Sequence, residues 1–181
     1  MVLVYFANGF EELEALAPVD VLRRGGIEVI TVGVGSKHIT GAHGVEIICD
    51  AVDSEVADKL PEAVILPGGM PGTLNLKNSS SVLDMVTKTY DRGAIVAAIC
   101  AAPSVLGALS ILKGRIATCF PGFEGELDGA ILSDAPVCVD GNVVTAKGAG
   151  VALEFAFALL DLLTGKTDAG KKMGDSMQCV R

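Results

Sequence analysis

Aromatic side chains are scarce in this sequence: they make up 4% of its 181 residues, and tryptophan is absent. The core must therefore be assembled from aliphatic side chains, and the 50% share of hydrophobic residues is large enough to supply it. A chain of this length is about the size of one domain and can bury most of the surface that it would expose when unfolded. We expect a single domain over residues 1–181.

Basic residues are also in short supply. The chain has 14 Lys and Arg against 22 Asp and Glu, which gives a net charge of −8. A nucleic-acid-binding surface needs clustered Lys and Arg on one face, so we expect no nucleic-acid partner. No uninterrupted apolar run reaches membrane-spanning length, and the first residues lack the features of a signal peptide. We expect a cytoplasmic protein, with no membrane partner, that binds a small neutral or weakly charged molecule.

The sequence also lacks a Cys-x-x-Cys motif. Its five cysteines are scattered, and neither histidine is close to any of them at the spacing of a zinc site. They stand at positions 49, 100, 119, 138 and 179. We expect reduced thiols and no metal site.

What the sequence does have is a regular alternation of short Val- and Ile-rich runs with helical patterns. Strands are predicted for MVLVYFA, IEVITVGV, AVILPGG and AIVAAI, and helices near 11–25, 80–91, 101–111 and 150–163. KHITGAHGVEI and PVCVDGNVVTA are typical of hairpins. This order predicts an α/β fold with a mostly parallel sheet and helices on both faces. Ligands of such folds usually bind beyond the carboxyl ends of the strands.

Cys100 stands at one of these strand ends, between the strand AIVAAI and the helix APSVLGAL. Ala98 and Ala102 leave room around it, and Pro103 occupies the first helical turn, where proline is favoured. The pattern resembles a nucleophile elbow, a tight turn that projects a nucleophile from the top of the sheet. Free amides at the helix start would lower the pKa of the thiol. A buried structural cysteine fits the same pattern, so the residues alone leave both interpretations open.

A reactive thiol usually needs a base or an orienting group. Both histidines, His38 and His43, lie in the polar hairpin upstream of Cys100. Chains that use a Cys–His pair in the manner of papain place the histidine downstream. We therefore interpret both histidines as solvent-facing turn residues and look to a carboxyl group instead.

Glu14 is the carboxyl group that the pattern favours among the three acids of FEELEA. Its helical neighbours are all apolar, so its carboxyl would be partly desolvated, with a raised pKa. They are Phe10, Ala17, Pro18 and Val21. A protonated Glu14 could donate a hydrogen bond to a thiolate and later move a proton. Glu11 and Glu12 fit ordinary acids of a helix start, but periodicity alone does not separate the three.

A glycine-rich turn, PGGMPG at 67–72, follows the strand AVIL. Its glycines would let backbone amides approach a substrate oxygen, as in an oxyanion hole, but the pattern alone favours a simple turn. GVGSK at 33–37 matches neither of the two common nucleotide-loop motifs, so we expect no nucleotide cofactor.

Four segments, in order and over essentially the whole chain, resemble the DJ-1/ThiJ/PfpI family: FEELEALAPVDVLRRGGIEV, VILPGGMPG, AAICAAPSVLGA and KGAGVALEFAFALLDLLTGK. The nearest branch contains the Parkinson-associated protein and enzymes of the glyoxalase III or protein-deglycase type. The resemblance implies a flavodoxin-like three-layer sandwich, usually a homodimer, with a nucleophile elbow after a central strand. It implies Cys100 as nucleophile, Glu14 as its protonated partner, and oxyanion contacts from the backbone of Gly68 or Gly69 and of Ala101.

The resemblance also implies a reaction. Members of this branch convert methylglyoxal or glyoxal to lactate or glycolate without a cofactor, and protein deglycation has been proposed for them. An oxidative-stress sensor or chaperone with an oxidisable Cys100 is the alternative from another class, and a cysteine hydrolase or amidase is a third.

Two positions depart from the family pattern. Ala102 replaces a glycine of many relatives, which could narrow the pocket, and Phe120 replaces a histidine of some branches, which argues against His-assisted chemistry.

Overall fold

Seven strands form one twisted sheet in the computed structural model, which describes residues 1–179. The strands are β1 (Val2–Phe6), β2 (Val29–Gly33), β3 (His38–Thr40), β4 (Glu46–Ile48), β5 (Ala51–Val52), β6 (Ala63–Leu66), β7 (Ile95–Ile99), β8 (Ile116–Ala117), β9 (Ile131–Leu132), β10 (Val137–Asp140) and β11 (Val143–Ala146). The α-helices are α1 (Glu12–Arg24), α2 (Gly72–Lys77), α3 (Ser80–Asp91), α4 (Pro103–Ala108), α5 (Ala152–Thr164) and α6 (Ala169–Ser176).

The strand order in the main sheet is β10-β11-β7-β6-β1-β2-β5, and every neighbouring pair except β10–β11 is parallel. From β1 the chain moves to β2 on one side and then to β6 on the other. The order of the strands therefore reverses at β1 and β6, and this is where open α/β sheets bind their ligands. The predicted parallel α/β sandwich is confirmed.

Successive side chains of β1 point to opposite faces of the sheet, so this strand contributes to both hydrophobic cores. Val2, Val4 and Phe6 point into the layer that contains α1 and α5, while Leu3 and Tyr5 point into the layer that contains α3 and α4. All five are at most 1% exposed, as expected for a central strand of a sheet that is covered on both faces. Because both layers are apolar, a polar side chain that reaches the sheet from either one is desolvated.

Both predicted hairpins form, as β3–β4 and β10–β11. The helix predicted near 101–111 is shorter than expected, because it ends in a Schellman-type cap. The Ile111 N–H bonds to the Leu106 carbonyl, and Ser110 adopts a φ of 58°. Four elements, α2, α6, β5 and β9, have no counterpart among the predicted ones. Within residues 1–179, no helix combines the length and the apolar character that a membrane span requires.

Candidate active site

Cys100 occupies a sharp turn directly after β7. Its φ of 65° lies in the left-handed region, which non-glycine residues rarely adopt. Two backbone hydrogen bonds hold it there: the Cys100 N–H donates to the carbonyl of Ala146 (2.9 Å), and the Cys100 carbonyl accepts from the N–H of Phe120 (2.8 Å). A strained residue persists only where its surroundings impose the conformation. The structure thus gives Cys100 the backbone of a nucleophile elbow, with a partly exposed side chain.

Glu14 lies on the first turn of α1 and reaches the elbow from the side. Its side chain is 1% exposed, as its apolar helical neighbours predicted. The Gly68 N–H donates to Glu14 Oε2 (2.9 Å), and a side-chain hydrogen bond joins the carboxyl to Cys100. Burial raises the pKa of Glu14 to about 7, and the nearby charge of Glu11 adds to the rise, whereas hydrogen bonds with Cys100 and backbone amides oppose it. The predicted rise in the pKa of Glu14 is confirmed.

Gly68 is the point where the three parts of the site meet. A Cβ built on Gly68 would lie 2.6 Å from Glu14 Oε2 and 2.7 Å from Cys100 Cβ, both far inside van der Waals contact. Its carbonyl accepts the N–H of Glu11 (2.9 Å), which fixes the glycine-rich turn against the start of α1. Only a residue without a side chain lets the acid and the thiol approach each other here.

Burial also raises the pKa of the Cys100 thiol, to about 12, and the Glu14 carboxylate adds to the rise through its charge and its hydrogen bond. Hydrogen bonds from the backbone of Ala101 and Gly69 oppose this rise. The predicted lowering of the thiol pKa is therefore wrong. The reason is that burial of the thiol, reinforced by the neighbouring carboxylate, outweighs the two amides at the elbow.

The contribution of Glu14 depends on its own proton. An ionised Glu14 repels a thiolate, but a protonated Glu14 donates a hydrogen bond to it. The pair thus holds at most one negative charge near neutral pH, and a Cys100 thiolate requires the proton to be on Glu14. Because the pKa of Glu14 is about 7, this carboxyl can both accept and release that proton near neutral pH.

The backbone amides of the site bond to two different side chains, those of Cys100 and Glu14. Those of Gly69 and Ala101 bond to the Cys100 sulfur, whereas that of Gly68 bonds to Glu14. Gly69 and Ala101 are therefore the predicted oxyanion donors that lie at the sulfur, where a bound carbonyl oxygen would develop charge. The Gly68 amide orients the acid instead, which differs from the predicted role of Gly68.

Glu12 differs from the ordinary helix-start acid that the sequence predicted. Its side chain is 9% exposed and accepts the backbone N–H of His43 (2.8 Å) and pairs with His43 Nδ1 (2.7 Å). Burial opposes ionisation of Glu12, but the hydrogen bonds from His43 outweigh it and lower the pKa of this carboxyl. Glu12 thereby ties the β3–β4 hairpin to α1. His43 is exposed at the turn and His38 is exposed on β3, so both face solvent as predicted.

Glu11, Glu12 and His43 are also the residues whose geometry comes nearest to a metal site, because their ligand atoms lie within 4.8 Å of one another. These side chains already have partners: Glu11 caps α1 by accepting the N–H of Glu14 (2.8 Å), and Glu12 binds His43. We therefore interpret these contacts as structural ones, which cap α1 and hold the β3–β4 hairpin against it.

The two departures from the family pattern fall on different sides of the sheet. Ala102 is fully buried in the layer of α3 and α4, whereas Cys100 packs against the layer of α1 and α5. The Ala102 methyl group therefore packs in the layer opposite to the one that Cys100 contacts. Phe120 is 48% exposed and is bonded through its N–H to Cys100, so it does border the site.

The other four cysteines are free thiols that take no part in the Cys100–Glu14 pair. Cys49, Cys119 and Cys138 are buried, and burial raises the pKa of Cys49 and of Cys119 to about 11. They match the predicted structural role.

Comparisons with known proteins agree on one family. Residues 1–162 match the DJ-1/PfpI family. The chain is 38% identical to Protein DJ-1 homolog A of Arabidopsis thaliana over 172 residues, which are 93% of this chain but 44% of that protein. The chain thus spans less than half the length of that relative.

Two further matches cover nearly the whole of both chains. Glutathione-independent glyoxalase DJR-1.2 of Caenorhabditis elegans is 32% identical over 157 residues, 86% of this chain and 83% of that one. A crystal structure of a mutant DJ-1 superfamily protein from Salmonella typhimurium superposes with a TM-score of 0.95 at 33% identity and covers 99% and 98% of the two chains. Similarity in sequence and in fold therefore extends over the elbow and the acid.

Proposed function

The chain belongs to the DJ-1/PfpI family, and from this premise we propose that it is a cofactor-independent glyoxalase that converts small 2-oxoaldehydes to 2-hydroxy acids. The observation that carries the proposal is the hydrogen-bonded Cys100–Glu14 pair, in which Glu14 has a pKa of about 7, beside the backbone amides of Gly69 and Ala101. Further support comes from a relative of similar length that is named a glutathione-independent glyoxalase.

The first step is addition of the thiol to the aldehyde. The Cys100 sulfur forms a bond to the aldehyde carbon, and the π electron pair moves to the aldehyde oxygen. The thiol proton goes to Glu14, which then delivers it to that oxygen to complete a hemithioacetal. While the oxygen is negative, the amides of Gly69 and Ala101 stabilise it.

The second step moves a proton between two carbons. Glu14, again a carboxylate, takes the proton from the carbon that is bonded to sulfur, and the electron pair shifts toward the neighbouring ketone oxygen. Glu14 returns the proton to the former ketone carbon, while the hydroxyl proton on the first carbon's oxygen passes to the former ketone oxygen. The first carbon is thereby oxidised to a thioester while the second is reduced to an alcohol, so no external oxidant or reductant is needed.

Hydrolysis completes the cycle. Water adds to the thioester carbon, the bond between carbon and sulfur breaks, and the 2-hydroxy acid leaves. The sulfur recovers one proton from water, and the pair returns to its starting charge. The balance is one 2-oxoaldehyde plus one water giving one 2-hydroxy acid.

A lactate assay with methylglyoxal, run without glutathione, tests this proposal. We expect Cys100→Ala to abolish turnover and Glu14→Gln to lower kcat by about 10²–10⁴. Cys179→Ala, a change at a partly exposed thiol, serves as the matched control and should retain full activity. Lactate formation that survives Cys100→Ala would refute the proposal.

We also propose that the protein is a homodimer. Large apolar side chains are exposed on α1 and on the β3–β4 hairpin: Leu13 (63%), Leu16 (38%), Val45 (47%) and Ile48 (71%). The Glu12–His43 contact holds these two elements together, which places the exposed side chains on neighbouring parts of the surface. Clusters of this kind mark interaction sites, and a second copy of the chain is the partner that the family resemblance implies.

A further inference from the structure

Phe120 is the aromatic side chain that borders the elbow. Its N–H donates to the carbonyl of Cys100 (2.8 Å), so its backbone is fixed relative to the nucleophile. Its side chain is nevertheless 48% exposed and is free to contact a ligand. A backbone fixed by a hydrogen bond together with a solvent-exposed ring is the arrangement expected of a residue that shapes a binding site.

Gly148, just beyond β11, shows where the ring lies. A Cβ built on Gly148 would be 3.3 Å from Phe120 Cδ2, 3.8 Å from its Cε2 and 3.7 Å from Glu14 Oε1. The ring and the carboxyl thus lie close to the same glycine. A molecule bonded to the Cys100 sulfur and within reach of Glu14 therefore lies beside the Phe120 ring.

We propose that the Phe120 ring is the wall against which the carbon substituent of the substrate packs, and that the site selects 2-oxoaldehydes with an apolar or aromatic substituent over glyoxal. This inference rests on the proposed function. The amides of Gly69 and Ala101 take the aldehyde oxygen, and Glu14 must reach both reacting carbons. The substituent on the second carbon is then the part left to contact the ring.

The size of the preference follows from the chemistry of the ring. A phenyl ring has no hydrogen-bond donor or acceptor for a polar or hydrated substituent, but it removes an apolar one from water. Burial of one methylene-sized group favours binding about fourfold, and a phenyl substituent buries several times that area. We therefore expect the ring to favour phenylglyoxal over glyoxal by roughly tenfold or more.

The test compares kcat/KM for phenylglyoxal and for glyoxal. The ratio of the two should fall about tenfold in Phe120→Ala. It should stay within about threefold of wild type in Phe120→Leu, which keeps an apolar side chain. Val139→Ala removes an equally exposed apolar side chain (48%) on β10 and should leave the ratio unchanged. An unchanged ratio in Phe120→Ala would overturn the inference.

A second measurement separates this inference from the proposed function. N-phenyl iodoacetamide and iodoacetamide carry the same reactive group and differ in the phenyl substituent, so their relative rates of Cys100 alkylation, read by intact mass, probe the wall without turnover. The wild type should favour the phenyl reagent, and Phe120→Ala should lose this preference. If the wild type lacks glyoxalase activity but prefers the phenyl reagent, and Phe120→Ala loses that preference, the proposed function is refuted and the role of the Phe120 ring is supported. If the preference is the same in wild type and in Phe120→Ala, the inferred role of the Phe120 ring is refuted.

Discussion

At the scale of single residues, the site depends on a carboxyl group that its surroundings keep from ionising. A shift of the Glu14 pKa from 4.5 to about 7 means that the folded protein holds this proton more tightly than the unfolded chain does. The resulting stabilisation is fully present below about pH 4.5, the unfolded value, and is lost as the pH rises through about 7. The same burial that prepares Glu14 for proton transfer thus destabilises the fold at alkaline pH.

A comparison of wild type with Glu14→Gln by urea unfolding tests this linkage. Between about pH 4.5 and about pH 7.5, the free energy of unfolding of wild type should fall relative to that of Glu14→Gln by up to about 3 kcal/mol. Glu28→Gln, at an exposed position before β2, is the matched control and should follow the wild-type pH dependence. A constant difference between wild type and Glu14→Gln across this range would contradict the raised pKa.

At the scale of elements, the glycine-rich turn between β6 and α2 sets the distance between thiol and acid. Gly68→Ala places a methyl group within about 2.7 Å of both side chains, so one of them must move. A displacement of about 1 Å at reacting groups costs about 10² in rate. We expect that loss in kcat, with at most a moderate loss of stability, about 1–3 kcal/mol.

Gly68 and Gly125 form a useful pair for this experiment. Neither has a positive φ, so alanine is compatible with the backbone at both positions. A Cβ on Gly125 would meet open space, and Gly125→Ala should therefore keep both activity and stability. If Gly68→Ala were as active as Gly125→Ala, the close approach of the turn to the pair would not matter for catalysis.

The sequence predicts best those features of the site whose signal is local, that is, contained within a few neighbouring residues. The apolar neighbours of Glu14 lie within about one helical turn, and the elbow at Cys100 lies within a few residues of a strand end. The local pattern therefore offered both residues as candidates, and the family resemblance selected them. The Gly68–Glu14 and Glu12–His43 contacts join residues 54 and 31 positions apart. Their geometry exists only after the sheet has formed, which is why the role of Glu12 was missed. The sign of the thiol pKa shift was missed because it depends first on the burial of the thiol in the folded chain and then on Glu14 across the site.

At the scale of the whole molecule, the fold places the acid of the reactive pair and part of the proposed dimer surface on the same helix, α1. Glu14 lies on the buried side of α1, while Leu13 and Leu16, its near neighbours in sequence, are exposed. Glu12 links this helix to the hairpin that carries the exposed Ile48. Association through this surface would hold α1, and with it Glu14, against a second subunit.

Replacement of Ile48 by lysine tests the dimer surface. An Ile48→Lys side chain would bring a charge into an apolar contact and would have to be desolvated, so the dimer should dissociate at micromolar concentration, as measured by light scattering after gel filtration. Ile131→Lys changes an isoleucine of similar exposure on β9 (58% against 71%) and should leave the mass unchanged. A dimer that persists in Ile48→Lys but dissociates in Ile131→Lys would move the interface to the β8–β9 side. A monomeric wild type would remove the homodimer altogether, leaving the Cys100–Glu14 chemistry to a single chain.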